Sequence, residues 1–281
     1  GPPVPECGKP WRRRLAWALV VTVCAAAAVA AEVYREVHTT RLVTETTVTD
    51  KLARELRIMQ LSDIHMRDDP AQLASIVAQV RDAEPHLIVI AGDTLDTYNE
   101  TLDPLHDLFS RLAELGTPMY AVLGNHDHWS KDLPQLIELY ARYGVRLIDN
   151  THEVVSGEFG TFTLLGAGDA YTDHAHLDQA LQGAPAEGFR FLLTHAPEIL
   201  PQLETADVDY AVCGHTHGGQ VAMPFIGALY VPGQGFFPKH SRGRYQAGKA
   251  TLYIDSGIGT SGMKVRFLVQ SQIVLHVFKP S

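Results

Sequence analysis

The chain has 281 residues, 46% of them hydrophobic and 20% charged, with a formal net charge of -9. Once residues 1–50, unlike the rest in texture, are set aside, that length suits one large domain or two small ones. The acidic balance argues against a nucleic-acid binder, which usually carries a basic face, and is otherwise ordinary for solubility. Cys7, Cys24 and Cys213 have no CxxC spacing, so neither a zinc-thiolate site nor a disulfide framework is expected.

Residues 1–14 form a basic tail with Lys9 and Arg12 to Arg14. Residues 15–31 are apolar and uncharged, at the short limit of the roughly 17–25 residues a spanning helix needs. Ala28-Val29-Ala30 also fits a small-residue cleavage pattern. An uncleaved signal anchor and a cleaved export signal are both consistent with this segment. A buried helix of a soluble domain fits less well, because no polar face interrupts the run. The excess of basic residues before the run places the N-terminus in the cytoplasm and the rest of the chain outside, a bias weakened by Arg35 and Arg41. Residues 32–54 read as a linker and lead-in, and residues 55–281 as the main folding unit.

From Arg57 onward one pattern recurs: a short apolar run ends in a small or polar residue, and a metal-competent side chain follows. Residues 58–61 lead to Asp63-Ile64-His65, and 87–91 to Gly92-Asp93. Residues 119–123 lead to Gly124-Asn125-His126-Asp127, 191–193 to Thr194-His195, and 210–213 to Gly214-His215-Thr216-His217. Such runs read as buried strands. Amphipathic helical stretches at 71–80, 105–115 and 133–143 lie between several of them, which predicts an α/β fold with a helix-covered sheet. Ligands of such sheets gather where strands end in loops. Residues 218–248 are rich in Gly, Pro and aromatics. Two further strands are expected near 250–254 and 273–278, with 257–262 as the loop between them.

Asp, Asn and His form a mixed oxygen and nitrogen donor set, which suits manganese, iron or zinc better than calcium or magnesium. In Asp63-x-His65 and His215-x-His217, alternate residues of an extended segment point to one side and reach one ion. Gly92 lets the backbone turn sharply before Asp93, whose two oxygens can bridge two cations. Taken singly, most of these elements have a bland explanation: a turn, or a hydrogen-bonded core histidine. Their joint occurrence, each at the end of an apolar run, makes coincidence a poor account.

The order Asp-x-His, Gly-Asp, Gly-Asn-His-Asp, His, Gly-His-x-His resembles the calcineurin-like metallophosphoesterases, with no ligand missing between Ile58 and His217. Downstream, Gly218-Gly219-Gln220, Ser241-Arg242-Gly243 and the loop at 257–262 resemble a bacterial membrane-associated or exported subgroup. That subgroup is similar to UDP-2,3-diacylglucosamine pyrophosphohydrolases. The resemblance implies a four-layer α-β-β-α sandwich, here behind an N-terminal transmembrane or signal-anchor helix, with residues 55–281 as the catalytic domain. It implies two divalent ions, manganese ahead of iron or zinc. Asp63, His65 and His217 would hold one, Asn125, His195 and His215 the other, and Asp93 would bridge them. His126 would lie at the substrate phosphate together with Asn125, and Asp127 would orient its ring.

Arg242, Arg244 and Lys239 are candidates for a second phosphate contact, against ordinary surface charge, with Arg242 preferred. His128 is open between a substrate contact and a structural role. The expected activity is metal-dependent hydrolysis of a phosphoester or pyrophosphate at a membrane, on a lipid-linked or nucleotide-lipid substrate. The apolar stretch 221–237 would face lipid. The alternatives are a tethered phosphatase or phosphodiesterase for a soluble substrate and, ranked low, a non-enzymatic metal-binding module. The expected location is a bacterial cytoplasmic membrane with the catalytic domain outside. A cytoplasmic lipid precursor would require the opposite face.

Overall fold

The computed structural model describes residues 10–65 and 68–281. Lys9 and the start of the basic tail lie outside the described residues. The chain opens with α1 (Pro10–His38) and runs on through β1 (Arg41–Thr49), β2 (Leu56–Leu61), α2 (Pro70–Ala83), β3 (Leu87–Ala91), α3 (Asp103–Ala113), β4 (Met119–Val122), α4 (Asn125–Trp129), α5 (Leu133–Arg142) and β5 (Val145–Leu147). Next come β6 (Thr151–Gly157), β7 (Gly160–Gly166), α6 (Leu177–Leu181), β8 (Phe189–Leu193), α7 (Leu200–Leu203) and β9 (Tyr210–Cys213). Two small ribbons follow, β10 (Ala222–Met223) with β11 (Gly227–Ala228), and β12 (Tyr230–Val231) with β13 (Gly235–Phe236). The chain ends with β14 (Gly243–Ala247), β15 (Ala250–Ile254) and β16 (Gln272–Pro280).

Twelve of these strands form two six-stranded sheets, in the orders β1-β16-β2-β3-β4-β5 and β14-β15-β9-β8-β7-β6. The central strands β3, β4, β8 and β9 are apolar at nearly every position because both faces of the sheets are covered there. Within β3, Leu87, Val89 and Ala91 pack toward the second sheet, while Ile88 and Ile90 pack under α2, α3 and α5. That two-residue alternation sorts the side chains into successive layers. Phe162, Phe191 and Tyr210 meet Ile58 and Val274 between the sheets, and α6 and α7 cover the outer face of the second sheet. The result is the four-layer α-β-β-α sandwich.

β16 inserts between β1 and β2 and carries Phe278 into the inter-sheet layer, where its ring lies 4.8 Å from Phe189 and 4.9 Å from Tyr210. Truncation there leaves a cavity that neither sheet can close. Phe278→Ala is expected to destabilise the fold by about 3–5 kcal/mol. Thermal unfolding in detergent should show Tm about 10 °C lower.

Two features differ from the sequence reading. α1 extends beyond the apolar run, to His38, and β1 occupies 41–49, within the stretch read as a linker. Only Thr39 and Thr40 separate them. Over its apolar length α1 is exposed, and it is long and apolar enough to cross a membrane. Its last turn is clamped to the domain. The Glu36 carboxylate accepts from Val269 N at 3.0 Å, and Glu36 O accepts from Ser271 N at 3.0 Å. His38 Nδ1 and the Asp69 carboxylate are 2.7 Å apart.

Candidate metal centre

The C-terminal ends of β2, β3, β4, β8 and β9 deliver all seven expected donors to one edge of the sandwich, and all seven are buried. Five of them leave their strands in left-handed backbone: Asp63, His65, Asp93, His215 and His217, with φ between 47° and 70°. Such conformations cost of order 1–3 kcal/mol each and persist where the surrounding structure over-determines them. Gly124 and Gly214 are required by close approach. A Cβ at Gly124 would sit 2.2 Å from Asp93 Oδ1, and one at Gly214 would sit 2.2 Å from Asp63 Oδ2. Gly214→Ala therefore pushes the Asp63 carboxylate aside. Metal affinity is expected to fall about 10–100-fold, as for other disturbances around metal ligands, measured by metal titration of the apo protein.

The donor atoms gather into two clusters around Asp93, and His215 and His217 fall in different ones rather than reaching one ion as their spacing suggested. In one, His65 Nε2 lies 3.1 Å from His217 Nε2, and His217 Nε2 lies 3.8 Å from Asp63 Oδ1. In the other, Asn125 Oδ1 lies 3.0 Å from His195 Nε2 and 2.9 Å from His215 Nδ1. Asp93 Oδ2 faces both, 3.6 Å from His65 Nε2 and 3.4 Å from His195 Nε2. Its other oxygen accepts from His126 N at 2.8 Å, which fixes the carboxylate.

This donor set fits a pair of cations. Nitrogen ligands sit about 2.0–2.1 Å from a zinc-like ion, so neighbouring donors of one ion lie roughly 3–3.5 Å apart, close to the 2.9–3.8 Å separations found here. His195 Nδ1 lies 2.8 Å from Ala91 O, which fixes the proton on Nδ1 and turns the Nε2 lone pair into the site. Burial pushes His65 and His215 down to about 4 and lowers His217 as well, keeping these imidazoles neutral and competent to bind metal. Burial also raises Asp63 to about 7. Burial opposes the charged forms of Asp93 and His195 too, but their mutual attraction outweighs it, holding the carboxylate low and the imidazole high. Cations would relieve the crowding of these acidic groups.

His126 is half-buried at the lip of the clusters, 4.8 Å from the His65 ring and edge-on to it. Asp127 does not orient it, contrary to the sequence expectation. The Asp127 carboxylate accepts from Leu95 N at 2.8 Å and Gly124 N at 2.9 Å, locking the start of α4. The His126 ring is held instead by Asp96, 3.2 Å from Nδ1, and by Thr97 Oγ1 at 2.9 Å. Its Nε2 lies 3.2 Å from Ser261 Oγ. Burial works against a charged His126, but the Asp96 hydrogen bond and the Asp93 charge prevail, and its affinity for a proton is raised.

Arg242, expected at the substrate, is exposed and donates Nη1 to Leu268 O at 3.1 Å in the neighbouring loop. Arg244 is tied to Glu45 Oε2 at 2.7 Å. His128 stacks on His174 with centroids 3.9 Å apart.

Sequence reasoning missed Asp96 and Arg266. A carboxylate three residues beyond Asp93 was the available signal for the first. Arg266 is wholly buried and donates Nη2 to Ser256 O at 2.8 Å and Gly257 O at 3.1 Å. That loop in turn supports the ligand strand, with Ile258 N donating to Ser62 O at 3.0 Å and Gly259 N to Asp63 O at 2.6 Å. No spacing rule marked Arg266, since it reaches back through backbone carbonyls.

Comparison with known proteins agrees with this geometry. Metallophosphoesterase YkuE of Bacillus subtilis (strain 168) is 26% identical over 228 residues, covering 79% of each chain. Phosphodiesterase YaeI of Escherichia coli (strain K12) is 29% identical, covering 74% of this chain and 77% of its own length. A Danio rerio transmembrane protein with metallophosphoesterase domain is 30% identical, covering 80% of this chain but 53% of its own length. Among solved structures, GAP50, the anchor in the inner membrane complex of Plasmodium, superposes with a TM-score of 0.52 at 16% identity over 80% of each chain, a likeness of fold alone. The family model for calcineurin-like phosphoesterases matches residues 56–219, the stretch that carries all seven donors. With the donors in that order on those strand ends, the chain belongs to the calcineurin-like phosphoesterase family and is a metal-dependent phosphoesterase.

Proposed function

We propose that the protein hydrolyses a phosphodiester or pyrophosphate bond of a lipid-linked substrate at the membrane crossed by α1. UDP-2,3-diacylglucosamine is one member of that class. The observation that carries the reading is the junction of an exposed, membrane-length helix with the domain that holds the paired donor clusters. Asp63, His65 and His217 would hold one divalent ion, and Asn125, His195 and His215 the other. Asp93 Oδ2 faces both donor sets and would be shared by them. Manganese is the proposed metal, on the mixed donor set. Bound there, such ions would supply Lewis acidity toward phosphoryl oxygens and acidify bound water.

The chain's own groups do the rest. Asn125 and His126 adjoin the place of the reacting phosphate. His126 Nε2 holds a proton at the lip, ready for the leaving oxygen. Asp96 and Thr97 fix the ring from its other nitrogen, while Asp127 acts on the backbone that carries it. The basic N-terminal residues support an N-terminus in the cytoplasm and a catalytic domain outside, in a bacterial cytoplasmic membrane.

An activity panel of metal-supplemented protein tests the reading. It should turn over lipid pyrophosphates and simple phosphodiesters with manganese and lose activity with a chelator. Turnover of soluble esters alone would favour the tethered enzyme for a soluble substrate. Protease accessibility in intact cells reads the side of the membrane.

A further inference from the structure

On its His217 side the metal centre adjoins a cavity of about 520 Å³. Leu229, Tyr230, Phe236 and Met263 line it together with His217 and Gly262. Close along the chain stand Phe225, Ile226, Phe237, Val265 and Leu268, all exposed. Apolar side chains gathered in this way mark a partner, a ligand or a membrane rather than open water.

One short segment ties this lip to the helix. Phe267 N donates to Gln220 O at 2.8 Å and Ala222 N to Phe267 O at 2.9 Å, at the base of the β10–β11 ribbon. Two residues further on, Val269 N donates to the Glu36 carboxylate at 3.0 Å, on the last turn of α1. The lip and the end of the membrane-length helix are thus held by the same stretch of backbone.

We propose that the cavity takes one acyl chain of a lipid phosphoester, and that the exposed lip lies in the bilayer that α1 crosses. The inference rests on the membrane reading above and names what the site does with the apolar part of its substrate. An amphiphile has the two halves this region offers: a phosphate for the buried donors and a hydrocarbon chain for the adjoining cavity. A lipid occupant is favoured because α1 already brings a bilayer to this side of the domain, through the shared 267–271 segment.

The full-length protein with manganese is assayed on 4-nitrophenyl alkyl phosphates from ethyl to dodecyl. The leaving group stays constant while the chain grows. kcat/KM should rise about 3–4-fold per buried methylene until the cavity is full, then level off. Leu229→Trp, which fills the cavity, should cut the dodecyl-to-ethyl ratio by about an order of magnitude or more. Met263→Trp does the same from the lip. A flat series in the unaltered protein, with the ethyl ester turned over, overturns the proposal and leaves the phosphoesterase reading intact. No turnover of any ester removes that reading and the proposal with it.

A second readout does not depend on activity. Phe225→Cys, with Cys7 and Cys24 replaced by serine, is labelled with a nitrobenzoxadiazole dye in vesicles of phosphatidylethanolamine and phosphatidylglycerol. Quenching by doxyl-labelled lipid is expected, and an unquenched, water-exposed dye overturns the placement of the lip.

Discussion

Asp93→Ala is expected to strip both ions from the protein and to lower kcat/KM on a simple phosphodiester by about 10³-fold or more, several kcal/mol of transition-state stabilisation. The size follows from where the carboxylate sits. Its Oδ2 is shared, 3.6 Å from His65 Nε2 and 3.4 Å from His195 Nε2, and its Oδ1 holds His126 N at 2.8 Å. Alanine removes a group that faces both clusters and leaves buried imidazoles without the charge that would balance bound cations. Loss of any peripheral donor should weaken one ion first. Elemental analysis of the purified variant decides the matter: two retained equivalents of metal would sink the bridging role.

His126→Ala should behave in the opposite way, keeping both ions while losing about 10²–10⁴-fold in kcat, the usual range for a positioned proton donor. His126 approaches the His65 ring edge-on, and its nitrogens already have partners in Asp96, Thr97 and Ser261. The alanine variant therefore separates metal holding from proton handling. Depleted metal in this variant would make His126 a ligand and contradict the assignment. A substrate with a good leaving group, such as a nitrophenolate, needs little protonation, so the defect should shrink on it.

The seven donors were legible in the sequence because each follows an apolar strand, and a strand end is one of the few places where neighbouring chain segments converge. Their division between two ions came from the family resemblance, and the convergence on Asp93 Oδ2 is consistent with it. Adjacency along the chain misled at Asp127. Asn125 to Trp129 form a helical turn, in which successive side chains point about 100° apart. Asp127 therefore turns inward to backbone N–H groups while His126 faces the lip. β1 went unread for a different reason. Arg-Leu-Val-Thr-Glu-Thr-Thr-Val-Thr has the β-branched content of a strand but no long apolar run, because it is an edge strand. Among the described residues its ladder partner is β16, more than two hundred residues away along the chain, with Arg41 opposite Gln272.

The two-residue passage from α1 to β1 sets the reach of the enzyme. Two extended residues span about 7 Å at most, and the last helical turn is itself fastened to the domain. A catalytic unit on a long tether samples a deep hemisphere of solution. With α1 in a bilayer, as proposed, a unit mounted on so short a stem would patrol a thin layer above it and meet lipid targets by lateral diffusion, so its turnover would be governed by surface density rather than by bulk concentration. Diluting a susceptible lipid with an inert one should slow the reaction at constant total substrate, whereas inserting a flexible stretch after Thr40 should soften that dependence.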